Sequence, residues 1–228
     1  MDRIPGWKRA LDLSLICLGL PLWLPVMVIV MVLIKVTSPG PVFFRQERVG
    51  YRGKRFMLFK FRSMRVSVET GSHERYFHNL IETDRPMTKL DLTGDPRLIP
   101  WGKILRASGL DELPQIFNVL RGEMSLVGPR PCTPQEFECY QSWHRGRVQA
   151  PPGLTGYWQV NGKNKTTFNE MVKMDISYGE HMSIGSDLAI IAKTIPTLFG
   201  QIFETWNGSR PARPETALAQ PAPIPGKG

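Results

Sequence analysis

A chain of 228 residues holds one sizeable domain, or one domain with an appendage, and a 42% hydrophobic content argues against global disorder. With 29 Lys+Arg against 20 Asp+Glu, the formal net charge of +9 points to anionic partners: nucleic acid, anionic lipid head groups or phosphorylated small molecules. Cys17, Cys132 and Cys139 are odd in number and lack metal-ligand spacing, which argues against a disulfide framework and for a reducing compartment.

Residues 13–34, LSLICLGLPLWLPVMVIVMVLI, carry no charge and are long enough to cross a hydrocarbon core of about 30 Å. A cleaved signal peptide fits worst, because the run is long and no small-residue cleavage site follows it. Two other readings stay open on the residues alone: a straight spanning helix, and a helix that enters the membrane, bends and returns to the same side. Pro21 and Pro25 favour a bend, since each removes a backbone hydrogen bond and clashes with the preceding turn. The flanks favour a return: Lys8 and Arg9 precede the run, and Lys35, Arg45 and Arg48 follow it, so the positive-inside rule places both ends in the cytoplasm. Asp12 is expected at the interface, paired with Lys8 or Arg9.

Beyond the SPGP loop, PVFFRQERVG and KRFMLFKFRSM predict two strands of a hairpin turning at Gly50–Gly53. Their basic residues interleave with phenylalanines, as in a half-buried sheet with a solvated basic face or in a platform for phosphates or a membrane surface. Residues 66–97 are polar and irregular, with a helix expected near 73–82. RLIPWGKILRAS (97–108) is amphipathic, with Trp101 suited to the membrane interface. Residues 115–121 put Ile116, Phe117 and Leu120 on one helical face. Further helices are expected near 134–147, 167–180 and 186–203, separated by the turn-rich stretches 125–131 and 151–163. From Trp206 the Pro/Ala-rich tail predicts disorder. The fold class expected is α+β, mostly helical, with a re-entrant N-terminal membrane helix, interfacial amphipathic helices and a small β-hairpin. The expected division is a membrane helix over 1–36, a catalytic domain at the membrane surface over 37–205 and a disordered tail over 206–228.

Asp111 and Glu112 stand side by side in SGLDELPQ. Pro114 is tolerated in the first turn of a helix, so a helix over 112–121 would make Asp111 its N-cap or a close neighbour. The partial positive charge there keeps a carboxylate ionised and attracts phosphate. Two carboxylates at one helix start repel unless a cation joins them, and Mg2+, usually held by one or two carboxylates plus substrate phosphates, meets that demand. The other acid is then free to attack phosphorus. Without further context an ordinary acidic N-cap is the simpler account of the pair and the one to favour.

The context is a set of motifs: Lys8-Arg9-Ala10-Leu11-Asp12, Pro25, KFRSM at Lys60–Met64, a block from Arg106 to Pro131 that contains DELPQ and MSLVGPRP, and PGLTGYWQVNG at Pro152–Gly162. Over about residues 8–200 the chain resembles the bacterial sugar transferase family, the monotopic phosphoglycosyl transferases. The resemblance implies an enzyme that moves a hexose-1-phosphate from a UDP-sugar donor to undecaprenyl phosphate, with release of UMP, as the first membrane step of exopolysaccharide, capsule, O-antigen or glycan synthesis. It implies Asp111 as the nucleophile that forms a covalent phospho-sugar intermediate, Glu112 as the Mg2+ ligand, and Arg106 and Arg130 as phosphate binders. Gln159, Asp175 and Tyr178 match recurrent family positions in the substrate-binding set. Arg48 and Arg62 are weaker candidates that also suit lipid head groups. The implied location is the cytoplasmic face of the bacterial inner membrane, among lipids and without nucleic acid; a homo-oligomer is allowed. Many members carry Ser-Pro at the membrane bend where this chain has Leu24-Pro25, which leaves the bend to the prolines. With no long hydrophobic region upstream, the chain is expected to be the short catalytic form.

Two other classes compete: a membrane-tethered basic module that binds a polyanion, and an inactive homologue acting as a scaffold. Neither explains the acid pair beside Arg106 and Arg130. No motif encodes the sugar or the pathway.

Overall fold

The structure, a computed structural model, describes residues 4–65, 97–162 and 166–206. The polar insert with its expected helix near 73–82 and the Pro/Ala-rich tail lie outside the described residues.

Helix α1 runs from Gly6 to Thr37 and contains Pro21 and Pro25. One stripe of it is buried: Lys8, Asp12 and Ile16 in the first arm, then Met27, Val30 and Ile34 in the second. These follow the three- and four-residue spacing of a single helical face. Between the arms the pattern breaks, and Leu18, Leu20 and Leu22 are exposed around Pro21. A proline leaves the carbonyl four residues back without its helical donor. One turn before the first proline, the Trp23 indole N–H donates to the Ile16 carbonyl at 2.9 Å.

The expected hairpin forms. Strands β1 (Phe43–Val49) and β2 (Arg55–Phe61) pair antiparallel, with Arg48 opposite Phe56, Gln46 opposite Leu58 and Phe44 opposite Lys60. Tyr51–Gly53 make the turn, with Arg52 and Gly53 at positive φ. The second arm of α1 packs on this hairpin and its surroundings: Met27, Val30 and Ile34 share a core with Phe61, Ile99 and Leu105. The first arm joins another, in which Ile16 meets Leu58, Ile116, Val119 and Met124.

After α2 (Gly102–Ser108) the structure corrects the expected helix over 112–121. Gly109 adopts φ 71° and ends α2, and the chain then makes a 3-10 turn over Leu110–Gln115 before α3 (Ile116–Arg121). Asp111 therefore lies inside this turn and caps nothing; the left-handed glycine, not the proline, sets where the turn starts. Helix α3 buries Ile116, Asn118 and Val119, while Phe117 and Leu120 point outward, so the expected apolar face is divided.

Two short strands missed in the turn-rich stretches, β3 (Ser125–Val127) and β4 (Gly153–Thr155), pair in parallel. The expected helix near 134–147 is instead α4 (Pro134–Glu138) followed by a 3-10 turn at His144–Gln149. Helix α5 (Tyr157–Asn161) follows β4, and α6 (Phe168–His181) and α7 (Ile184–Trp206) complete the described elements as expected. Thr133 and Thr167 begin α4 and α6 with reciprocal capping boxes to Glu136 and Glu170.

Asp12 departs from its expected pairing. Its Oδ1 accepts from Ser125 Oγ and Leu126 N, both at 3.0 Å. Lys8 instead donates to Asp187 at 2.5 Å and to the Tyr178 hydroxyl at 2.9 Å, while Arg9 donates to the Val119 and Leu120 carbonyls. All four polar side chains of the Lys8–Asp12–Tyr178–Asp187 group are buried. A buried charge is costly unless paired, so this group fixes the start of α1 on α6, α7 and β3.

Candidate active site

Strand alternation puts Arg48, Leu58 and Lys60 on one face of the hairpin. That face forms one wall of a small cleft open to solvent, completed by Glu112 and Gln115 from the 3-10 turn, Arg130 and Pro131 after β3, and Gly153 and Leu154 of β4. Asn118 fixes the turn to the hairpin. It is fully buried; its Oδ1 accepts from Phe59 N at 3.1 Å, and its Nδ2 donates to the Met57 carbonyl and to Glu123, each at 2.7 Å.

The crossing of the two glycine-proline loops places Arg130. A Cβ on Gly128 would sit 2.0 Å from the Pro151 carbonyl oxygen, and one on Gly153 2.0 Å from Gly128 N, so backbone meets backbone with no room for a side chain. Gly153 N donates to the Pro129 carbonyl at 2.9 Å. Behind it, buried Arg147 donates to the Arg130 carbonyl at 3.1 Å, to the Tyr140 hydroxyl at 2.7 Å and to Asp175 at 2.6 Å.

Glu112 is the centre of charge. Its Oε1 accepts from Lys60 Nζ at 2.7 Å and from Arg130 Nη1 at 3.1 Å. Asp111, one residue back, is 7% exposed and is not among the residues that line the cleft. Burial pushes its carboxyl up to about 6, aided by the Glu112 charge and opposed by Lys60, Arg106 and Arg130. The helix-start argument for an ordinary ionised aspartate is thus replaced by a buried acid whose charge is sustained by surrounding cations. Burial also pushes Lys60 down, against the pull of Glu112, and Glu112 pushes Arg130 up.

Arg48 lines the cleft, donates to the Pro131 carbonyl and to Gln46, and leaves its buried Nε without a partner. The other candidates lie away from the cleft lining. Arg62 is buried and donates to the Ser38 and Pro39 carbonyls, tying the exit of α1 to the end of β2. Asp175 and Tyr178 are buried in the Arg147 and Lys8 networks, and Asp175 is pushed up to about 6 by burial against the pull of Arg147. Gln159, on α5, keeps a buried Oε1 without a partner. Sequence reasoning did not assign Lys60, Gln115 or Arg147. Lys60 stood within a quoted motif, and its period-two spacing from Arg48's partner strand was a usable signal; nothing local marked Arg147.

Asp111 and Glu112 offer adjacent hard oxygen donors, and among the described residues no group of three or more His, Cys, Asp or Glu forms a metal cluster. Mg2+ commonly takes one or two carboxylates and completes its shell with phosphate and water. Glu112, which lines the cleft, fits as the one carboxylate such an ion needs, and Lys60 and Arg130, now bonded to it, would turn to the phosphates. Chemically, the arrangement sets a buried carboxyl, Asp111, behind a cleft whose Arg48, Lys60 and Arg130 suit a phosphorylated ligand.

The family model described as bacterial sugar transferase matches residues 3–201. The chain is 42% identical over 189 residues to the galactosyl transferase CpsE of Streptococcus agalactiae, covering 82% of this chain and 41% of that protein. It is 37% identical over 191 residues to the exopolysaccharide production protein ExoY of Sinorhizobium fredii, covering 84% of each. It is 42% identical over 188 residues to a UDP-glucose:undecaprenyl-phosphate glucose-1-phosphate transferase of Xanthomonas campestris, covering 79% of this chain and 36% of that protein. The match spans nearly all the described elements, the acid pair and both crossing loops, and the chain belongs to the bacterial sugar transferase family.

Proposed function

We propose that this protein transfers a hexose-1-phosphate from a UDP-sugar to undecaprenyl phosphate at the cytoplasmic face of the inner membrane. The observation that carries the reading is the Asp111–Glu112 pair set among Lys60, Arg106 and Arg130 at a cationic cleft. In the first half-reaction the Asp111 carboxylate turns to the cleft and attacks the sugar-side phosphorus. The bond from that phosphorus to the bridging oxygen breaks, and UMP leaves. In the second, a phosphate oxygen of the polyprenyl acceptor attacks the same phosphorus, the aspartyl bond breaks, and a polyprenyl diphosphosugar forms. Lys60 and Arg130 neutralise the diphosphate, and Arg48 offers its unpartnered Nε. Mg2+ held by Glu112 would supply further neutralisation of that charge.

Membrane attachment supports the same reading. Helix α1 is apolar and long enough to cross a membrane. Its first arm packs on β3, α6 and α7 and its second on the hairpin, so both ends meet one body while the Pro21 region faces away. A bent, re-entrant α1 accounts for this.

The test is product release with UDP-sugar alone. Wild type releases UMP in one burst and gains the mass of one hexose phosphate on the Asp111 peptide; EDTA abolishes the burst and Mg2+ restores it. Asp111→Asn shows neither product. Absence of UMP until acceptor is added, with sequential kinetics, would overturn the covalent route.

A further inference from the structure

We propose that Phe44 receives the first isoprene units of the polyprenyl acceptor, which enters the cleft across the open end of the β-hairpin; this rests on the transferase reading above. The cleft face of the hairpin carries three cross-strand pairs: Arg48 with Phe56, Gln46 with Leu58, and Phe44 with Lys60. They follow in that order from the Tyr51–Gly53 turn to the open end. The open end is the one held against the membrane helix. Arg62, one residue past β2, donates its backbone N–H to the Val42 carbonyl at 2.9 Å and its guanidinium to the Ser38 and Pro39 carbonyls, just after α1. Val42, Phe43 and Phe61 pack there with Met27, Val30 and Ile34 of α1. Phe44–Lys60 is thus the cleft-face pair nearest the membrane helix.

Of these six side chains Phe44 alone is exposed, at 45%; the other five are buried or half-buried. Side chains directly opposite on one face of a hairpin lie about 5 Å apart at Cβ. An uncovered apolar ring therefore stands beside a lysine that lines the cleft. The acceptor is the ligand that needs both at once. Its phosphate suits the cation, and its hydrocarbon chain has to stay out of water. It also comes from the membrane side, where α1 is long and apolar enough to cross. A nucleotide sugar comes from the aqueous side and brings no hydrocarbon chain. Once UMP has left, Lys60 is free to draw the acceptor phosphate toward the cleft while the chain trails over Phe44 to the lipid.

The test uses the full-length protein in nanodiscs of phosphatidylethanolamine and phosphatidylglycerol, as wild type, Phe44→Ala and Phe44→Leu. A melting temperature within a few degrees of wild type shows that a variant folds; Phe44→Gln serves if Ala does not. Kd is measured for geranyl phosphate, for inorganic phosphate as the acceptor head without a chain, and for UDP. KM is measured for undecaprenyl phosphate. Covering the exposed part of a phenylalanine ring is worth about 3- to 10-fold in affinity. Phe44→Ala should weaken geranyl phosphate and raise the KM for undecaprenyl phosphate by that factor, with inorganic phosphate and UDP unchanged. Phe44→Leu, still apolar, should restore most of the loss. An equal loss on geranyl and inorganic phosphate would show a distorted cleft, and a weakened UDP would show a base stacked on the ring; either overturns the proposal. So does an unchanged Kd for geranyl phosphate, whether or not the variant leaves the nanodisc more readily. Absent UMP release from wild type with every UDP-sugar offered would overturn the transferase reading instead, and the geranyl phosphate comparison still decides the role of Phe44.

Discussion

Burial of Asp111 ties stability to pH. Its carboxyl is pushed to about 6 from an ordinary 3.8, chiefly by burial. A folded-state value above the unfolded one means that the folded chain holds the proton longer. The stability this gives is complete below about pH 4 and is lost as pH rises through about 6. Near neutrality the ionised carboxylate therefore costs stability, and Asp111→Asn should melt at or above the wild-type temperature while turnover falls by several orders of magnitude. Thermal unfolding in detergent beside UMP release measures both; a large fall in melting temperature would show a structural carboxylate. Under the proposed covalent route, in which Asp111 attacks as the carboxylate, the acid limb of kcat/KM should lie near pH 6. Lys60 is the strongest opposing charge, so Lys60→Met should move that limb to higher pH. The acid pair was legible because DELPQ is a linear signal. The tuning by Lys60 was not, because 51 positions separate the two and only the hairpin register turns Lys60 toward the cleft.

At the scale of elements, Asn118 does what a third strand would do. It satisfies both the Phe59 amide and the Met57 carbonyl on the free edge of β2. Asn118→Ala leaves these part-buried groups without their partner, at up to about 1–3 kcal/mol each. The variant should unfold several degrees earlier and lose kcat more than KM, because the turn carrying Asp111 and the strand carrying Lys60 lose their register; an unchanged melting temperature and kcat would refute this role. Helices α6 and α7 and the β-hairpin were readable from period and turn residues. The 3-10 turn and the β3–β4 pairing were not: one depends on a single left-handed glycine, and the other joins strands only three residues long, with no periodicity to read. Their long-range register is set by the close backbone contact of Gly128 with Pro151 and Gly153.

For the whole molecule, the apolar surfaces describe a membrane-facing body. Trp101, just before α2, and Ile104 on it are exposed, α2 packs on α7, and α7 exposes Ile195, Phe199 and Phe203. Such faces are unusual for water and suited to an interface. In a background lacking Cys17, Cys132 and Cys139, cysteines at Gly6 and Arg45 should both be labelled from the cytoplasmic side in cells. Replacing Pro21 and Pro25 by Ala should shift part of the population toward opposite-side labelling, since an interior proline costs a straight helix about 3 kcal/mol. Opposite-side labelling of the parent would refute a re-entrant α1. The sequence foretold a long apolar N-terminal helix interrupted by prolines. It did not foretell that Lys8 would pass over Asp12 for Asp187.

That last pairing has a consequence in time. Lys8 and Asp187 lie 179 positions apart, and a ribosome adding about 5–20 residues per second makes the second roughly 10–40 s after the first. During that interval the first arm of α1 has entered its environment without the acid that later neutralises its lysine. The early conformation of the segment is therefore decided by lipid and by Pro21 and Pro25, which act locally and at once. The Asp187 contact can close only after both partners have been made, so it is a late contact that holds the start of α1 in place.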